Sequence, residues 1–174
     1  MTPSALRLRP LQHADAAVLA AWGEDTTFCQ HTGWTVRSRA GLHDFWLRQA
    51  DDPPDGLIRL AVEDADDDLV GYVDLHGTNP GEKELGFVIG PSHRWGQGLG
   101  QRAARAGLAY GFKELALNCI WAEALVANTA SVRILQSLGM QETGIGGPGV
   151  FLGEESYYLQ FRTGRTSWAQ GLEG

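Results

Sequence analysis

The chain has 174 residues, a formal net charge of −7, 23 glycines and two cysteines. This length predicts one domain with a core that needs no disulfide or metal, and we expect the polar residues 163–174 to form a poorly ordered tail. The excess of acidic residues argues against a nucleic-acid partner. The sequence has no apolar run of roughly 20 residues, which argues against a membrane span. The two widely separated cysteines favour a reducing, cytoplasmic location.

The first half of the chain predicts a strand, two helices and then three strands. Alternating leucine and arginine predict a short strand at residues 6–10, which a proline ends. The alanine-rich residues 14–22 and the apolar stripe of residues 38–50, with Ser38 as N-cap, predict helices. The mixed, aromatic segment 23–37 between them has no predicted element. The expected strands that follow are residues 57–63, 69–76 and 84–89.

A glycine-rich turn organises the second half of the chain. The sequence GPSHRWGQGLG at residues 90–100 joins the last of these strands to an amphipathic helix. A strand at residues 118–126 and a helix that follows Asn128 come next. Strands at residues 150–152 and 157–162 are expected to close the sheet around a glycine-rich turn at residues 144–149. Because strands and helices do not alternate regularly, the order predicts an α+β protein with a mixed sheet.

The turn at residues 90–100 has the pattern of a pyrophosphate site. A glycine-rich turn from strand to helix directs successive amides, and the positive end of the helix dipole, at one point in space. No Lys-Ser/Thr pair follows the glycines, which disfavours a nucleoside triphosphate loop, and the dinucleotide spacing is absent. Because glycine is 23 of 174 residues, an ordinary flexible turn is the alternative interpretation of this segment taken alone.

Two segments together resemble the coenzyme A segments of the GNAT superfamily of acetyl-CoA-dependent N-acetyltransferases. Trp95-x-x-Gly98-x-Gly100 resembles the family motif Q/R-x-x-G-x-G/A, with Trp95 where glutamine or arginine is commonest, as in the RimJ/RimL branch. Residues 127–140 resemble the second segment, and Asn128 is also a good helix N-cap. The resemblance implies a GNAT-like, mostly antiparallel sheet of about seven strands with helices on both faces.

The resemblance further implies that acetyl-CoA is the cosubstrate, and the spacing of the cysteines and histidines argues against a metal. The strands at residues 84–89 and 118–126 would separate, so that main-chain groups near Val88 could pair with the pantetheine amides. Asn128 would contact the same arm of the coenzyme. The coenzyme-binding residues are then Val88, Ile89, Arg94, Trp95, Gly96, Gln97, Gly98, Leu99, Gly100 and Asn128.

The amine acceptor must lose its proton before it attacks the thioester. At neutral pH this costs about 1 kcal/mol for an α-amine and about 4 to 5 kcal/mol for a lysine amine, so a water-mediated base suffices for an N-terminal acceptor. Glu84 is the candidate base, with Asp74 and Glu123 as rivals. Leu135 stands where many family members have tyrosine, so Ser131 is the candidate donor to the leaving thiolate. The structural alternatives are an exposed strand-end acid for Glu84 and a first-turn helix residue for Ser131.

The predicted function is acetyl-CoA-dependent N-acetylation of a primary amine, in a protein N-terminus or a small molecule, by direct attack on the thioester. The five histidines have no metal spacing and receive no role. A catalytically silent acyl-CoA-binding sensor or interaction module is the alternative, because the tyrosine is missing and no residue is an unmistakable base. The protein would act as a monomer or homodimer, without nucleic acid or membrane. Candidate residues of the acceptor pocket, each with core packing or solvation as its alternative, are Trp22, Glu24, Asp25, Phe28 and Trp34.

Overall fold

The structure is a computed structural model, and it describes residues 6–35 and 37–171. These residues form an α+β arrangement, as predicted, with a short 3₁₀ turn at Ser92–Arg94 before α4. The elements in chain order are β1 (Arg7–Pro10), α1 (Asp15–Trp22), α2 (Thr26–Thr32), α3 (Arg39–Asp51), β2 (Leu57–Glu63), β3 (Leu69–His76), β4 (Glu82–Ile89), α4 (Leu99–Lys113), β5 (Cys119–Leu125), α5 (Thr129–Ser137), β6 (Gln141–Phe151), β7 (Glu154–Gly164) and α6 (Arg165–Gly171).

The strands form one sheet of seven in the order β1-β2-β3-β4-β5-β7-β6. Neighbouring strands are antiparallel except β4 and β5, which are parallel. Pairing between β4 and β5 ends where Glu84 lies opposite Trp121, although β4 continues to Ile89 and β5 to Leu125. The two strands therefore separate, as expected, and leave a wedge-shaped opening in the sheet.

Two apolar clusters cover the opposite faces of the sheet because successive strand residues point to opposite sides. Val73 and Leu75 of β3 face the cluster that contains α4, whereas Tyr72 joins the cluster that contains α1, α2 and α3. Helix α4 packs closely on the sheet: a Cβ atom at Gly107 would lie 2.6 Å from a methyl carbon of Val73. The helices consequently flank the sheet on both faces.

Helix α2 lies in the segment for which the sequence predicted no element. The Asp25 carboxylate caps it by accepting a hydrogen bond from the amide of Phe28 at 2.9 Å, and Gly33 ends it with a φ of 70°. Threonine, phenylalanine, cysteine and histidine, which make up all of the helix except Gln30, have modest helix propensity. The caps and the burial of Phe28 thus define a helix that apolar periodicity does not reveal.

The prediction of a turn at residues 144–149 is wrong, because these residues belong to the long strand β6. The pairing of β6 with β7 is irregular between Glu142 and Gly144 and between Ile145 and Pro148. Glycines in a strand commonly mark such bulges. The hairpin instead turns at Leu152 and Gly153, whose φ angles are 51° and 84°.

The chain end also differs from the expected tail over most of its length. Residues 163 and 164 complete β7, and Arg165–Gly171 forms α6. The Trp168 ring lies 5.2 Å from the ring of Phe112 on α4. Residues 172–174 lie outside the described residues. Over residues 6–35 and 37–171 no helix is long and apolar enough to cross a bilayer.

Candidate active site

A cleft of about 680 Å³ lies between the end of β4, the glycine loop and helix α5. Its volume is in the range of small-molecule and cofactor sites. Gln97, which was predicted to bind the coenzyme, does not line the cleft and is exposed. The lining includes the other predicted coenzyme residues and the predicted thiolate donor, namely Val88, Ile89, Arg94, Trp95, Gly96, Gly98, Leu99, Gly100, Asn128 and Ser131.

The glycine loop brings the main chain of α4 to this cleft. Gly96 and Gly98 have φ angles of 77° and 73°, a conformation that side-chain-bearing residues rarely adopt. Gly98 is the N-cap of α4, so no side chain caps the first amides of this helix. A Cβ atom at Gly100 would lie 2.9 Å from the Ile134 side chain, so glycine allows α4 and α5 to approach each other. The donors and the helix dipole suit an anionic ligand.

Three hydrogen bonds hold the start of this loop. The Trp95 indole donates to the carbonyl of Ile89 at 2.7 Å, and the amide of Gly90 donates to a β3 carbonyl at 3.1 Å. The amide of Ser92 donates to Asp25 at 2.8 Å. Burial alone would raise the pKa of Asp25, but the hydrogen bonds from the Phe28 and Ser92 amides outweigh burial and lower that pKa. The carboxylate that caps α2 therefore also fixes the loop.

Arg94 lies at the cleft with two carboxylates already beside it. Its guanidinium lies 3.0 Å from an oxygen of Asp64 and 3.0 Å from an oxygen of Asp68, both on the turn between β2 and β3. Burial acts to raise the pKa of Asp64, but the amides of Asp68 and Asp66 and the Arg94 charge lower it overall. These ion pairs orient Arg94 and reduce the positive charge that it presents to a ligand. Arg133 lines the same cleft from α5.

The separation of β4 from β5 leaves main-chain groups of β4 facing the opening. The amide of Gly90 donates to β3, and hydrogen-bonded pairs alternate along an antiparallel ladder. The main-chain amide of Val88, which lies opposite Tyr72, therefore also points toward β3. The amides of Phe87 and Ile89 point the other way, toward the opening. Buried amides need acceptors. An extended ligand that carries amide groups would supply them.

A second cavity of about 290 Å³ lies on the other side of the opening, between β4, β5, α2 and the β6–β7 hairpin. Asn128 is the N-cap of α5, as predicted, and accepts a hydrogen bond from the amide of Ser131 at 3.2 Å. Among the described residues, the five that line both cavities are His31, Thr32, Phe87, Asn128 and Ser131. These five residues define the junction of the two cavities.

The candidate base Glu84 lies at the closed end of the opening. It pairs in register with His76 of β3 and Trp121 of β5 and borders neither cavity. Burial, and then the negative charge of Glu123, raise the pKa of Glu84 above its ordinary value, and the positive charge of His76 opposes them. The raised pKa makes Glu84 a stronger proton acceptor than an exposed glutamate.

The two rival carboxylates have different surroundings. Asp74 accepts two hydrogen bonds from the Arg59 guanidinium, at 2.7 and 2.6 Å, and is therefore held in an ion pair. Glu123 lines the second cavity and accepts a hydrogen bond from Gln160 at 3.3 Å. Of these two, only Glu123 borders the space beyond the opening.

The residues predicted for the acceptor pocket pack mainly within the fold. Trp22 and Phe28 are buried, with ring centroids 5.7 Å apart, and Trp34 lies 4.8 Å from Phe28. Glu24 is exposed, 3.4 Å from Arg39. Trp22, Glu24, Asp25, Phe28 and Trp34 line neither of the two cavities described above.

Sequence reasoning missed His31 and Thr32, because it did not predict the helix that carries them to the junction. The signal that could have located α2 is the pair Asp25 and Gly33, since aspartate is a preferred N-cap residue and glycine commonly follows the end of a helix. Within the part of the chain that the structure describes, no group of three or more His, Cys, Asp or Glu side chains is arranged to hold a metal ion.

The chain is similar to acetyltransferases in both sequence and structure. The family profile described as acetyltransferase (GNAT) domain matches residues 5–141. The uncharacterized N-acetyltransferase p20 of Bacillus licheniformis is 38% identical over 151 residues, which cover 80% of this chain and 81% of p20.

Two solved structures share the fold. A GNAT-family acetyltransferase from Bacillus anthracis has a TM-score of 0.77 at 22% identity, over 95% of this chain and 98% of that protein. The spermidine N-acetyltransferase from Vibrio cholerae, solved in complex with CoA and spermine, has a TM-score of 0.79 at 23% identity, over 94% and 98% of the two chains. These similarities confirm the fold expected from the two coenzyme segments.

Proposed function

The chain belongs to the acetyltransferase (GNAT) family, whose members are acyltransferases, and on this basis we propose that it transfers the acetyl group of acetyl-CoA to a primary amine. The observation that carries the proposal is the opening between β4 and β5 beside the glycine loop. One side of this opening offers main-chain partners for an extended arm, and the loop offers donors for a diphosphate. The second cavity leaves room for an acceptor beyond it.

In this proposal the uncapped amides of α4 and the glycine loop bind the diphosphate of acetyl-CoA. The pantetheine arm lies in the opening, where Phe87 and Ile89 supply main-chain groups to its amides. The Asn128 side-chain nitrogen, which takes no part in the helix cap, donates to the same arm. Arg133 adds positive charge to the cleft, and Arg94 adds less because it is paired with Asp64 and Asp68. The thioester then lies at the junction of the two cavities.

The acceptor amine attacks the thioester carbonyl directly, so a carbon–nitrogen bond forms and the carbon–sulfur bond breaks. Glu84 removes the first proton from the incoming ammonium through water, and an amide of β4 near Val88 polarises the carbonyl. Ser131 donates a hydrogen bond to the departing thiolate. Leu135, at the position of the expected tyrosine, is buried in the core and has no proton to donate.

The acceptor is the α-amine of a peptide or a small-molecule amine, in an enzyme of the RimJ/RimL-like branch. The Glu123 carboxylate on the second cavity favours a cationic acceptor. The buried Leu135 favours the alternative function, an acyl-CoA-binding sensor without turnover. The monomeric or homodimeric state and the cytoplasmic location stay predictions.

Calorimetry with acetyl-CoA, followed by assay of free thiol release with peptides, polyamines and amino acids, tests the proposal. We expect saturable binding and thiol release with at least one amine. Binding without release for any amine would support the sensor, and the absence of binding would refute both functions. The variant Glu84→Gln should lower the rate most at acidic pH, where little acceptor is neutral, whereas the exposed control Glu154→Gln should not. An unchanged pH profile in Glu84→Gln would remove Glu84 as the base.

A further inference from the structure

We infer that His31, on helix α2, is a proton-transfer residue of the acetyl-transfer site, an inference that rests on the proposed function. Among the five residues of the junction, His31 alone carries a titratable side chain. An imidazole can both accept and donate a proton near neutral pH. It therefore combines the two actions that aminolysis of a thioester requires at this point.

The hydrogen bonding of His31 assigns a separate task to each ring nitrogen. Nδ1 lies 2.9 Å from the main-chain carbonyl of Thr27. Because a carbonyl oxygen can only accept, Nδ1 carries a hydrogen in the neutral and in the protonated ring. The proton that the ring gains or loses is therefore the one on Nε2. A fixed Nδ1 donor with an exchangeable Nε2 is the arrangement that general acid–base histidines use.

Ring contacts hold the imidazole between the glycine loop and the C-terminal hairpin. Its centroid lies 5.1 Å from the ring of Trp95 and 5.6 Å from the ring of Phe151, and both contacts are edge-to-face. Asp25 fixes the helix itself, because it caps α2 and accepts the Ser92 amide of the loop. Asp25 is thus a positioning residue, and it keeps His31 in a constant place relative to the glycine loop.

The proposed step completes the proton balance of the reaction. After Glu84 has taken one proton from the ammonium, the neutral amine attacks the carbonyl and its nitrogen becomes positively charged. Nε2 of His31 accepts the second proton from that nitrogen. As the carbon–sulfur bond breaks, the same proton passes from Nε2 to the thiolate, directly or through the Ser131 hydroxyl. The products are the amide and free coenzyme A, His31 returns to its neutral form, and Glu84 releases the first proton to water.

Charged and titratable groups from several elements border the same two cavities as His31 or cap its helix. Because these groups include both carboxylates and guanidinium groups, the pH dependence of turnover reports on all of them together. The groups that line the two cavities or cap the helix are Asp25 on α2, Arg94 in the loop, Glu123 on β5, Arg133 on α5 and Tyr158 on β7. For this reason the test below compares rates and affinities instead of assigning a pH profile to His31.

The test compares His31→Asn and His31→Ala with the control His43→Asn on helix α3, which lines neither cavity. Asparagine places an amide nitrogen near the position of Nδ1 and can still donate to Thr27, but it has no group in place of Nε2. We expect kcat to fall about 10²-fold or more in both His31 variants, measured with whichever peptide, polyamine or amino acid the wild-type protein acetylates fastest. The affinity for acetyl-CoA should stay within about threefold of wild type, and His43→Asn should behave as wild type.

Two results would overturn the inference. If His31→Asn keeps wild-type turnover while His31→Ala loses it, the Thr27 hydrogen bond matters and proton transfer at Nε2 does not. If both variants lose acetyl-CoA binding in parallel with turnover, His31 is a wall of the coenzyme site. Failure of the proposed function is recognised separately, because wild-type protein would then release no thiol with any amine before a variant is tested.

Discussion

Asp25 joins helix α2 to the glycine loop, and its replacement should therefore cost more than the loss of a simple helix cap. One carboxylate oxygen accepts the Phe28 amide at 2.9 Å and the other accepts the Ser92 amide at 2.8 Å. An N-cap contributes about 1 kcal/mol, and a hydrogen bond to a charged group about 2 kcal/mol. Asp25→Ala should thus lower the free energy of unfolding by about 3 kcal/mol.

Two comparisons separate these contributions in urea unfolding at neutral pH. Asp25→Asn keeps a good cap for α2. The Ser92 main-chain N–H then faces either the asparagine NH2 group or an uncharged oxygen, so the free energy of unfolding should fall by about 2 kcal/mol. Ser38→Ala removes a cap with a single hydrogen bond, to Gly41 at 3.1 Å, and should lose about 1 kcal/mol. If Asp25→Ala lowers the free energy of unfolding no more than Ser38→Ala does, the hydrogen bond from Asp25 to the loop adds nothing to the cap.

The pH dependence of the same variants gives a second check with a definite sign. The folded-state pKa of Asp25 is lowered, so its stabilisation is fully present above the ordinary aspartate value of about 4 and is lost as the pH falls through the lower folded value. The stability difference between wild type and Asp25→Asn should therefore shrink below pH about 4. A difference that stays constant down to the acid transition would contradict this assignment.

Three further sets of substitutions test the glycine loop, the Arg59–Asp74 ion pair and the predicted thiolate donor. Gly98→Ala forces a side chain into a φ of 73°, so it should lower the free energy of unfolding by about 1 kcal/mol and weaken acetyl-CoA binding. Gly98→Asn should have smaller effects on both, because asparagine tolerates this conformation better. Equal losses of acetyl-CoA affinity in the two variants, measured by calorimetry, would show that backbone strain is irrelevant. Asp74 is mostly buried, and Arg59→Ala removes its ion-pair partner, so this variant should lower the free energy of unfolding, measured in urea, by about 3 kcal/mol. The double variant Arg59→Met with Asp74→Asn, which leaves no unpaired charge, should lose less. Ser131→Ala should lower kcat without lowering stability, because Asn128 caps the main-chain amide of Ser131; an unchanged kcat would dismiss its hydroxyl as a donor.

Features that depend on neighbours along the chain could be predicted from the sequence. Ser38 and Asn128 cap their helices as expected, because a cap needs only an oxygen three residues before an amide. The strands Leu57–Glu63 and Leu69–His76 begin and end where their apolar patterns do. The glycine loop is equally local, since consecutive amides of one short segment form it. These are short-range effects of spacing and backbone conformation.

Features that depend on pairing between distant segments could not be predicted in this way. The glycines of β6 suggested a turn, but pairing with β7 keeps that segment extended and places the turn at Gly153. Arg94 lies at the cleft and stays a predicted coenzyme residue, but the turn that carries Asp64 brings two carboxylates to it, which the sequence did not predict. In both cases a partner outside the local window decided the outcome.

The sequence by itself therefore determined the α+β class, most helix and strand positions and the two segments that resemble coenzyme A segments, because residues close along the chain specify each of them. Tertiary structure alone decided that His31, Phe87 and Ser131 meet at one junction. These residues come together because the strands β4 and β5 separate and because Asp25 of α2 accepts a hydrogen bond from the glycine loop. Contacts between segments so far apart in the chain depend on packing and hydrogen bonding across the whole sheet, which no local pattern encodes.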